Sequence, residues 1–243
     1  MFGKNEQIKH IENSNGALLV REIFSTIQGE GPFTGTPATF VRLGGCNLKC
    51  HFCDTDFDHT LSTMLPVSEV VEQCARNAHS LVVITGGEPL LQDIAPLVRS
   101  LRKLGIRCQV ETAGTVWPET LTDAVDPSGN LPLSIIVSPK TKKIHPEVRR
   151  YATAYKYLVR TSYGFDSEAD VPICNTQEEF GKVNSLAEPS IFKEVFLQPV
   201  EEYHPDGRAW PEQTTKNIER AVELCMRYDY RLSLQIHKIL RMP

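Results

Sequence analysis

Three cysteines within eight consecutive positions constrain this chain more than any other feature of its sequence. Cys46, Cys50 and Cys53 form a C-x3-C-x2-C pattern within residues 44–55. Cysteine thiolate is the usual ligand of iron–sulfur clusters, so three thiolates on one short loop can hold three corners of a cuboidal 4Fe–4S cluster. No fourth cysteine lies nearby in the sequence, which would leave one iron open to a small molecule. The pattern therefore predicts a catalytic cluster with these three ligands.

Zinc and a disulfide are the alternatives for the same cysteines. Clustered Cys and His residues often form structural zinc sites. His51 adjoins Cys50 and is poorly placed to share a tetrahedral ion with it; His59 is better placed, but no C-x2-C pair follows downstream. A disulfide would leave one of the three cysteines unpaired and would need an oxidising compartment. A zinc-stabilised binding module thus stays open as an alternative from a different class of protein.

The composition is that of an ordinary folded protein. The chain has 243 residues, of which 41% are hydrophobic and 23% charged, which is typical of a soluble globular protein with an ample core. A formal net charge of −4 argues against a broad nucleic-acid-binding surface. The remaining cysteines stand singly among apolar neighbours and are expected to be small core residues: Cys74, Cys108, Cys174 and Cys225.

The N-terminal residues and the apolar runs bear on location. The first 15 residues are polar and lack the apolar region of a signal peptide. No apolar run approaches the length of a membrane span. We therefore expect a cytoplasmic protein with no membrane contact and no stable nucleic-acid partner.

Predicted strands and helices alternate along the chain. Strands are predicted at 17–23, 37–43, 81–85, 107–112, 133–137, 155–159, 192–197 and 232–236. Helices are predicted at 68–78, 92–104, 147–152 and 211–228, with Leu104 on the inner face of the second, and Ile218, Val222 and Met226 on that of the last. Gly105 is expected to end the second helix in a left-handed conformation. Two glycines and a proline predict a loop at 25–32. Such alternation predicts an α/β fold with a parallel sheet.

The chain is expected to form one main domain. Residues 1–16 are predicted to be a polar N-terminal lead, and residues 17–243 to fold together. Residues 161–189 are rich in Ser, Asp, Glu, Pro and Asn with little periodicity, which predicts a polar surface insertion rather than a linker.

Five motifs each follow a predicted strand. They are the cysteine loop, G-G-E-P at 86–89, E-T-A-G at 111–114, S-P-K at 138–140 and Q-P at 198–199. The chemistry of parallel α/β sheets lies at the carboxyl ends of the strands. The repeated placement predicts that the five motifs share one mouth.

Some residues of these segments suit ligand binding, although each has a structural alternative. Arg42 offers a planar fork for a carboxylate, but it equally suits a surface arginine at a strand end. Gly86 and Gly87 let the backbone come close to a ligand because they lack a Cβ, or they simply form a turn. Phe52, between the second and third cysteines, either packs beside a bound ligand or only fills space within the loop.

Taken together and in this order, the motifs resemble those of the 7-carboxy-7-deazaguanine synthase family in the radical S-adenosylmethionine (SAM) superfamily. The matching segments run from about residue 23 to the C-terminus and read I-Q-G-E-G, F-V-R-L-G-G-C-N-L-K-C-H-F-C-D-T, V-V-I-T-G-G-E-P, Q-V-E-T-A-G-T, V-S-P-K, L-Q-P and L-S-L-Q-I-H-K. The resemblance implies a partial, modified TIM-type barrel with fewer helices than the full form. It also implies a homodimer.

The resemblance implies a carbon–nitrogen lyase that uses a 4Fe–4S cluster and SAM. The reaction would be a radical ring contraction of 6-carboxy-5,6,7,8-tetrahydropterin to 7-carboxy-7-deazaguanine with loss of ammonia, on the route to preQ0 and queuosine. The reduced cluster would cleave SAM to a 5′-deoxyadenosyl radical, with electrons from a donor such as flavodoxin or ferredoxin. Mg²⁺ would be a further cofactor.

Residue roles also follow from the resemblance. The implied SAM-binding residues are Phe52, Cys53, Asp54, Gly87, Ser138, Pro139, Lys140 and Gln198. The implied substrate-binding residues are Ile27, Gln28, Gly29, Glu30, Arg42, Thr85 and, through its α-carboxylate, Pro243. Thr55 is the implied Mg²⁺ ligand. Without the resemblance, residues 27–30 read as a turn and Pro243 as a frayed end.

A radical SAM activase is the alternative enzyme. Such a protein makes a glycyl radical on a partner protein and shares the cysteine loop and the G-G-E-P motif. It does not need Arg42 or the C-terminal Q-I-H-K segment. Consumption of the carboxypterin without an added protein partner would distinguish the synthase from the activase.

Overall fold

A computed structural model describes residues 7–8, 11, 16–50, 53–55, 58–161, 193–204 and 206–243. Its strands are β1 (Ala17–Ile27), β2 (Pro37–Leu43), β3 (Thr63–Pro66), β4 (Leu81–Gly86), β5 (Arg107–Thr112), β6 (Ser134–Val137), β7 (Ala152–Val159), β8 (Glu194–Pro199) and β9 (Arg231–Leu232). Its α-helices are α1 (Val67–Arg76), α2 (Ala95–Lys103), α3 (Pro146–Tyr151), α4 (Pro211–Tyr228) and α5 (Ile236–Ile239).

The described strands form one sheet in the order β3-β1-β2-β4-β5-β6-β7-β8-β9. From β2 to β9 every neighbouring pair is parallel, whereas β1 pairs antiparallel with both β2 and β3. Among the described residues the sheet is open, with β3 and β9 at its edges. This architecture confirms the predicted α/β fold and is that of a partial, modified TIM-type barrel.

Strand β4 shows why a parallel strand is apolar along its whole length. Leu81, Val82, Val83 and Ile84 are all fully buried. Val82 and Ile84 belong to the large core that contains the helices, whereas Leu81 and Val83 pack on the other face with Ala38. Because both faces of the sheet are covered, the strand reads as a continuous apolar run rather than an alternating one.

The second predicted helix is shorter than its pattern. Its regular part is α2, since residues 89–91 form a separate 3-10 turn. Gln92 lies before the helix: its side chain bonds to the backbone N–H and C=O of Leu19 at 2.7 and 3.1 Å. The prediction that Gly105 ends the helix in a left-handed conformation is confirmed by its φ of +76°. The prediction that Leu104 faces inward is wrong, because it lies past the last turn and is 55% exposed.

The inner face of α4 also differs from its apolar pattern. Ile218, Val222 and Met226 were predicted to face inward, but they are 36%, 41% and 83% exposed. Two polar residues, Gln213 and Asn217, take buried positions instead, in line with Ala221 and Leu224. The Asn217 amide accepts from the N–H and the hydroxyl of Thr161 and donates to the Val200 carbonyl. Because these hydrogen bonds satisfy the amide, burying it is tolerated, and the apolar residues are turned outward.

The two ends of the sheet carry the other differences. Strand β1 continues to Ile27, where a loop was predicted, because residues 22–27 pair with β2. The strand β3 was not predicted. The predicted strand at 232–236 is wrong: β9 has two residues and is followed by the short helix α5. The predicted insertion at 161–189 lies outside the described residues, apart from Thr161. None of the described helices is both long and apolar enough to cross a membrane.

The two faces of α2 give a test of this core. Leu97 is fully buried, whereas Leu104 is largely exposed. Leu97→Ala should lower the free energy of unfolding by about 2–5 kcal/mol, since it leaves a cavity in the core. Leu104→Ala should change it by less than about 0.5 kcal/mol. Urea unfolding of both variants measures this, and an equal loss in the two would contradict the described helix end.

Candidate active site

A cavity of about 590 Å³ lies at the carboxyl ends of the parallel strands. Most of the predicted site residues line it: Cys46, Cys50, Cys53, Asp54, Thr55, Gln28, Glu30, Arg42, Thr85, Gly87, Ser138, Lys140, Gln198 and Pro243. Ile27, Gly29 and Pro139 are not part of its wall, and Phe52 lies outside the described residues. The structure therefore brings the predicted motifs together at one mouth.

The three cysteines of the loop are free thiols that border the same cavity. The Cys53 N–H donates to the Cys50 carbonyl at 3.2 Å, which closes a turn, and the Leu48 N–H points at the Cys46 sulfur at 3.4 Å. Burial raises the pKa of Cys46 to about 12 and that of Cys53 to about 11. Burial also raises the pKa of Cys50, against the opposing charge of Lys140. A thiolate at these positions therefore needs a cation beside it.

The donor set suits an iron–sulfur cluster. Within the described ranges, no three His, Cys, Asp or Glu side chains converge on one point, as the ligands of a single metal ion would. A cuboidal cluster does not require such convergence, since each thiolate binds a different iron. Three free thiols around one cavity are therefore compatible with a cluster that keeps one iron for another ligand.

The G-G-E-P loop lies directly against the cysteine loop. A Cβ added at Gly87 would stand closer than 3.0 Å to the carbonyl of Gly45. The Glu88 N–H donates to that same carbonyl at 2.9 Å, and the Gly87 N–H donates to Leu43 O at 3.2 Å. A residue without a side chain is therefore required where the loop after β4 meets the loop after β2.

Glu88 anchors the same loop to β5. Its buried carboxylate accepts from the Thr112 hydroxyl at 2.6 Å, from Ala113 N at 2.9 Å and from Leu90 N at 3.1 Å. Burial raises the pKa of Glu88, although these three donors oppose the rise. The carboxylate is not part of the cavity wall, so Glu88 holds the loops after β4 and β5 together.

The Ser-Pro-Lys motif after β6 places two polar groups at the cavity. The Lys140 ammonium donates to the Ser138 hydroxyl at 2.5 Å and to the Ser138 carbonyl at 2.9 Å. Pro139, between them, is buried.

Gln198, at the end of β8, has its side-chain oxygen buried without a hydrogen-bond partner among the described residues. An acceptor in this position suits a ligand that donates hydrogen bonds.

A buried ionic cluster forms another side of the cavity. The Lys156 ammonium, on β7, forms ion pairs with Glu30 and, at 3.3 Å, with Glu111 on β5. Burial opposes ionisation of Glu30, but Lys156 and the donor Gln235 outweigh it and hold the pKa of Glu30 below its usual range. The flanking glutamates raise the pKa of Lys156 despite its burial. Glu30 and Lys156 are therefore both charged at neutral pH.

Arg42 lies at the cavity wall on β2. Its Nε donates to the Glu22 carboxylate at 2.7 Å, and its guanidinium stands 5.4 Å from the centre of the Phe24 ring. The parallel register sets Arg42 beside Thr85 of β4. The planar guanidinium is thus held in place by an ion pair and a stacking contact.

The C-terminal segment closes the site from the side of β1. The Thr26 hydroxyl donates to the Pro243 terminal oxygen at 2.8 Å, so the last residue is anchored at the cavity. Gly29 does not face the cavity; a Cβ there would collide with the His237 ring, and its carbonyl accepts from Ile236 N at 3.3 Å.

The same segment contacts the cysteine loop. Lys238 donates to Asp54 and to Glu201, each at 2.9 Å. The Thr55 hydroxyl lies 3.3 Å from the Asp54 carboxylate, to which it donates. Lys238 and the donor Gln235 hold the pKa of Asp54 below its usual range, although burial opposes this. The residue after the third cysteine is thus tied to the C-terminus.

Sequence reasoning assigned no role to several residues at this cavity: Lys156, Gln235, His237 and Lys238. Lys156 had a signal in the sequence, because it is a single lysine within the apolar run of β7, and lysine is seldom buried without a partner. The other three belong to the C-terminal L-S-L-Q-I-H-K motif, whose return to the cavity is a long-range contact that no local pattern reports.

The described N-terminal residues pack on the cysteine loop. The Ile8 N–H donates to the Cys46 carbonyl at 2.7 Å, and Ile11 is buried. The Gln7 amide donates to the Asn47 carbonyl at 2.5 Å. Part of the predicted polar lead therefore supports the loop.

Comparison with known proteins gives a consistent result. The radical SAM superfamily matches residues 40–151. The 7-carboxy-7-deazaguanine synthase of Rhodospirillum rubrum is 37% identical over 244 residues, which cover 99% of this chain and 99% of the relative. The enzyme of the same name from Rickettsia prowazekii is 32% identical and covers 99% of this chain and 95% of the relative. The crystal structure of QueE from Escherichia coli shares the fold, with a TM-score of 0.62 at 23% identity over 91% of this chain and 95% of that one.

The contact between the two loops can be tested at Gly87. Gly87→Ala should push the G-G-E-P loop away from the cysteine loop, because the added Cβ overlaps the Gly45 carbonyl. We expect the anaerobically reconstituted variant to hold less than about half of the wild-type iron and sulfide, because rigid backbone atoms cannot yield.

Gly129→Ala is the matched control for this variant. Gly129 has a positive φ of +83°, unlike Gly87, but a Cβ added at Gly129 meets nothing within 4 Å. That change should cost about 1 kcal/mol of stability and leave iron content unchanged. Full iron loading of Gly87→Ala would show that the two loops need not touch.

Proposed function

The chain belongs to the 7-carboxy-7-deazaguanine synthases of the radical SAM superfamily, and from that premise we propose that its cavity is the site of the family's reaction. The reaction is the conversion of 6-carboxy-5,6,7,8-tetrahydropterin to 7-carboxy-7-deazaguanine with loss of ammonia, in preQ0 and queuosine biosynthesis. The observation that carries the proposal is the joint placement of three free thiols, an anchored arginine and a buried charged cluster around one cavity.

Cys46, Cys50 and Cys53 would hold the 4Fe–4S cluster. When bound, the cluster and SAM supply the radical chemistry of the superfamily. SAM would lie between the cysteine loop and the loops after β4, β6 and β8. Its binding residues would be Phe52, Cys53, Asp54, Gly87, Ser138, Pro139, Lys140 and Gln198. Thr55 would hold Mg²⁺, a cation that prefers oxygen ligands. The buried acceptor of Gln198 supports this placement.

The substrate has two ends of different chemistry, and the cavity offers a partner for each. Arg42 would bind the substrate carboxylate through its guanidinium, as bidentate pairing favours. Gln28 and Glu30 would bind the opposite, pyrimidine end, with the backbone of Ile27 and Gly29 supporting that loop. Thr85 and the Pro243 α-carboxylate would complete the site. The hydrogen bond between Thr26 and Pro243 supports the last role.

The proposal extends to the setting of the enzyme. We propose a cytoplasmic homodimer formed by a single domain spanning residues 17–243, with flavodoxin or ferredoxin as the electron donor. The net charge of −4 argues against a broad basic surface on the protein. This favours a free small-molecule substrate over tRNA.

Anaerobic reconstitution tests the function directly. The wild-type protein with iron, sulfide, SAM, Mg²⁺ and a reductant should convert the carboxytetrahydropterin to 7-carboxy-7-deazaguanine without any protein partner. Cys50→Ala should lose more than about 99% of SAM cleavage, because two thiolates do not secure a cluster, while its circular dichroism matches wild type. Turnover by Cys50→Ala, or product only after addition of a partner protein, would refute the assignment.

Arg42 provides a separate test of substrate orientation. Arg42→Ala should lower kcat/KM for the carboxypterin about 10- to 100-fold, the usual range for losing a hydrogen bond to a charged group. SAM binding should change by less than about threefold, because the arginine is assigned to the other ligand.

Arg107→Ala is the matched control for Arg42→Ala. Arg107 also stacks on a phenylalanine, 5.7 Å from the Phe33 ring centre, but it does not line the cavity. It should leave both ligands unaffected. An equal loss of SAM and substrate binding in Arg42→Ala would remove the proposed role.

A further inference from the structure

Lys156 is a charged residue in the middle of a buried strand. Its neighbours on β7, Tyr155 and Tyr157, are buried on the face of the helices, whereas Lys156 points to the opposite face and is 5% exposed. Burying an ammonium group is costly unless opposite charges surround it. Two glutamates from distant parts of the chain, Glu30 and Glu111, supply those charges.

The two carboxylates are engaged in the same way. One oxygen of each, Oε2, faces the Lys156 ammonium. The other oxygen, Oε1, accepts from two amide groups. For Glu111 these are Gln28 at 2.9 Å and Gln109 at 3.0 Å. For Glu30 they are Gln198 at 3.2 Å and Gln235 at 2.7 Å.

This arrangement leaves acceptor capacity at the cavity. A carboxylate has about four lone-pair sites, and the printed contacts use three on Glu30 and three on Glu111. All of these partners are donors, so the two carboxylates act only as acceptors. Two carboxylates and one ammonium also give this side of the cavity a net negative charge. Such a surface suits a ligand edge that presents N–H groups side by side.

Lys156 is what allows both carboxylates to stay ionised. Two carboxylates that share a buried site cannot both hold a charge unless a cation stands between them, because like charges at short range disfavour ionisation. No other cation contacts both Glu30 and Glu111 within the part of the chain that the structure describes. The lysine therefore decides whether the pair accepts or donates hydrogen bonds.

We propose that Lys156 is a positioning residue that holds Glu30 and Glu111 as paired carboxylate acceptors for the ring N–H and the 2-amino group of the substrate's 2-amino-4-oxopyrimidine. The inference rests on the proposed function, since it concerns the substrate of that site. It assigns the recognition of the amino group to the carboxylate pair, and the orientation of the pair to a residue that need not touch the substrate.

If Lys156 had only a structural role, its loss would lower binding equally at every pH. The pH dependence of binding therefore separates a structural role of Lys156 from the proposed positioning role. Without Lys156 the burial of Glu30 remains, so the pKa of Glu30 should rise and its protonated acid should donate a hydrogen bond instead of accepting one. Binding should then recover as the pH is raised and Glu30 ionises. Asp54 from the cysteine loop and His237 from the C-terminal segment also face this cluster, and Lys238 pairs with Asp54. These groups are present in both wild type and variant, so the comparison between the two cancels their effect.

The experiment measures binding of 6-carboxypterin, a stable aromatic analogue, to the reconstituted holoenzyme with SAM by calorimetry between pH 6 and 9. At pH 7, Lys156→Met should bind it at least about 30-fold more weakly than wild type, since loss of a charged hydrogen-bonding partner costs about this much. At pH 9, the difference in affinity between variant and wild type should be at least about fivefold smaller than at pH 7. Lys156→Arg, which keeps the charge, should lose less than Lys156→Met. SAM binding and the visible absorption of the cluster should stay at wild-type values.

A matched control removes a buried ion pair that is next to the same strand but outside the cavity. Arg160 pairs with Glu202 just after β7, and neither residue lines the cavity. Arg160→Met should bind the analogue within threefold of wild type. Binding by Lys156→Met within threefold of wild type, or a loss of equal size at pH 6 and pH 9, would overturn the proposal.

A second measurement uses wild-type protein alone and is independent of how the variants fold. In 6-carboxylumazine an oxo group replaces the 2-amino group, so an acceptor would face the carboxylate pair. The wild-type holoenzyme should bind it at least about 30-fold more weakly than 6-carboxypterin, since a buried acceptor facing an acceptor is left unpaired. Equal binding of the two by an enzyme that turns over the carboxytetrahydropterin would overturn the inference and leave the proposed function standing. An enzyme that binds and converts no pterin would overturn both.

Discussion

Parallel pairing of the strands from β2 to β9 is the constraint on which the site depends. Parallel neighbours end at the same edge of a sheet, so the segments that follow them must meet. The pairing of Arg42 with Thr85, and of residues 109–112 with β6, sets this edge to within a residue. A slip of one residue in any strand would turn its side chains to the other face. The set of side chains that line the cavity therefore depends first on the register of the strands, and only then on the identity of any single residue.

The sheet also separates two kinds of residue by face. On the helix side, alternate strand residues such as Val110 and Tyr155 join the large apolar core. On the opposite side Glu111 and Lys156 alternate with them. Because both faces of the sheet are buried, removing one charged member of the polar cluster would leave the others buried without their partner, which lowers stability. Glu111 and Lys156 are held by packed strands, which move less than loops, so this part of the charged side is preorganised.

Local patterns predicted what depends on local chemistry. The run in β4, the stop at Gly105 and the positions of the glycine loops follow from backbone preferences and side-chain volume, and the structure confirms them. The outward turn of Met226 was not predictable, because buried Asn217 takes the inner position through hydrogen bonds to distant segments. The C-terminal contacts of Gln235 and Lys238 were not predictable either, because they also join segments that are distant in the sequence. Roles assigned to individual site residues stay predictions.

The two sides of the cavity differ in how their charge is satisfied. On one side, protein donors and one protein cation already contact the Glu30 and Glu111 carboxylates. On the cysteine side burial raises the pKa of each thiol, so thiolates there require a metal's positive charge. Binding of a cluster by these thiols would therefore be coupled to release of their protons, whereas the proposed recognition of the pterin edge by the carboxylate pair needs no such change. With these proposed roles, one cavity would combine a substrate side that is formed by the folded protein with a reactive side that forms only when the cofactor binds.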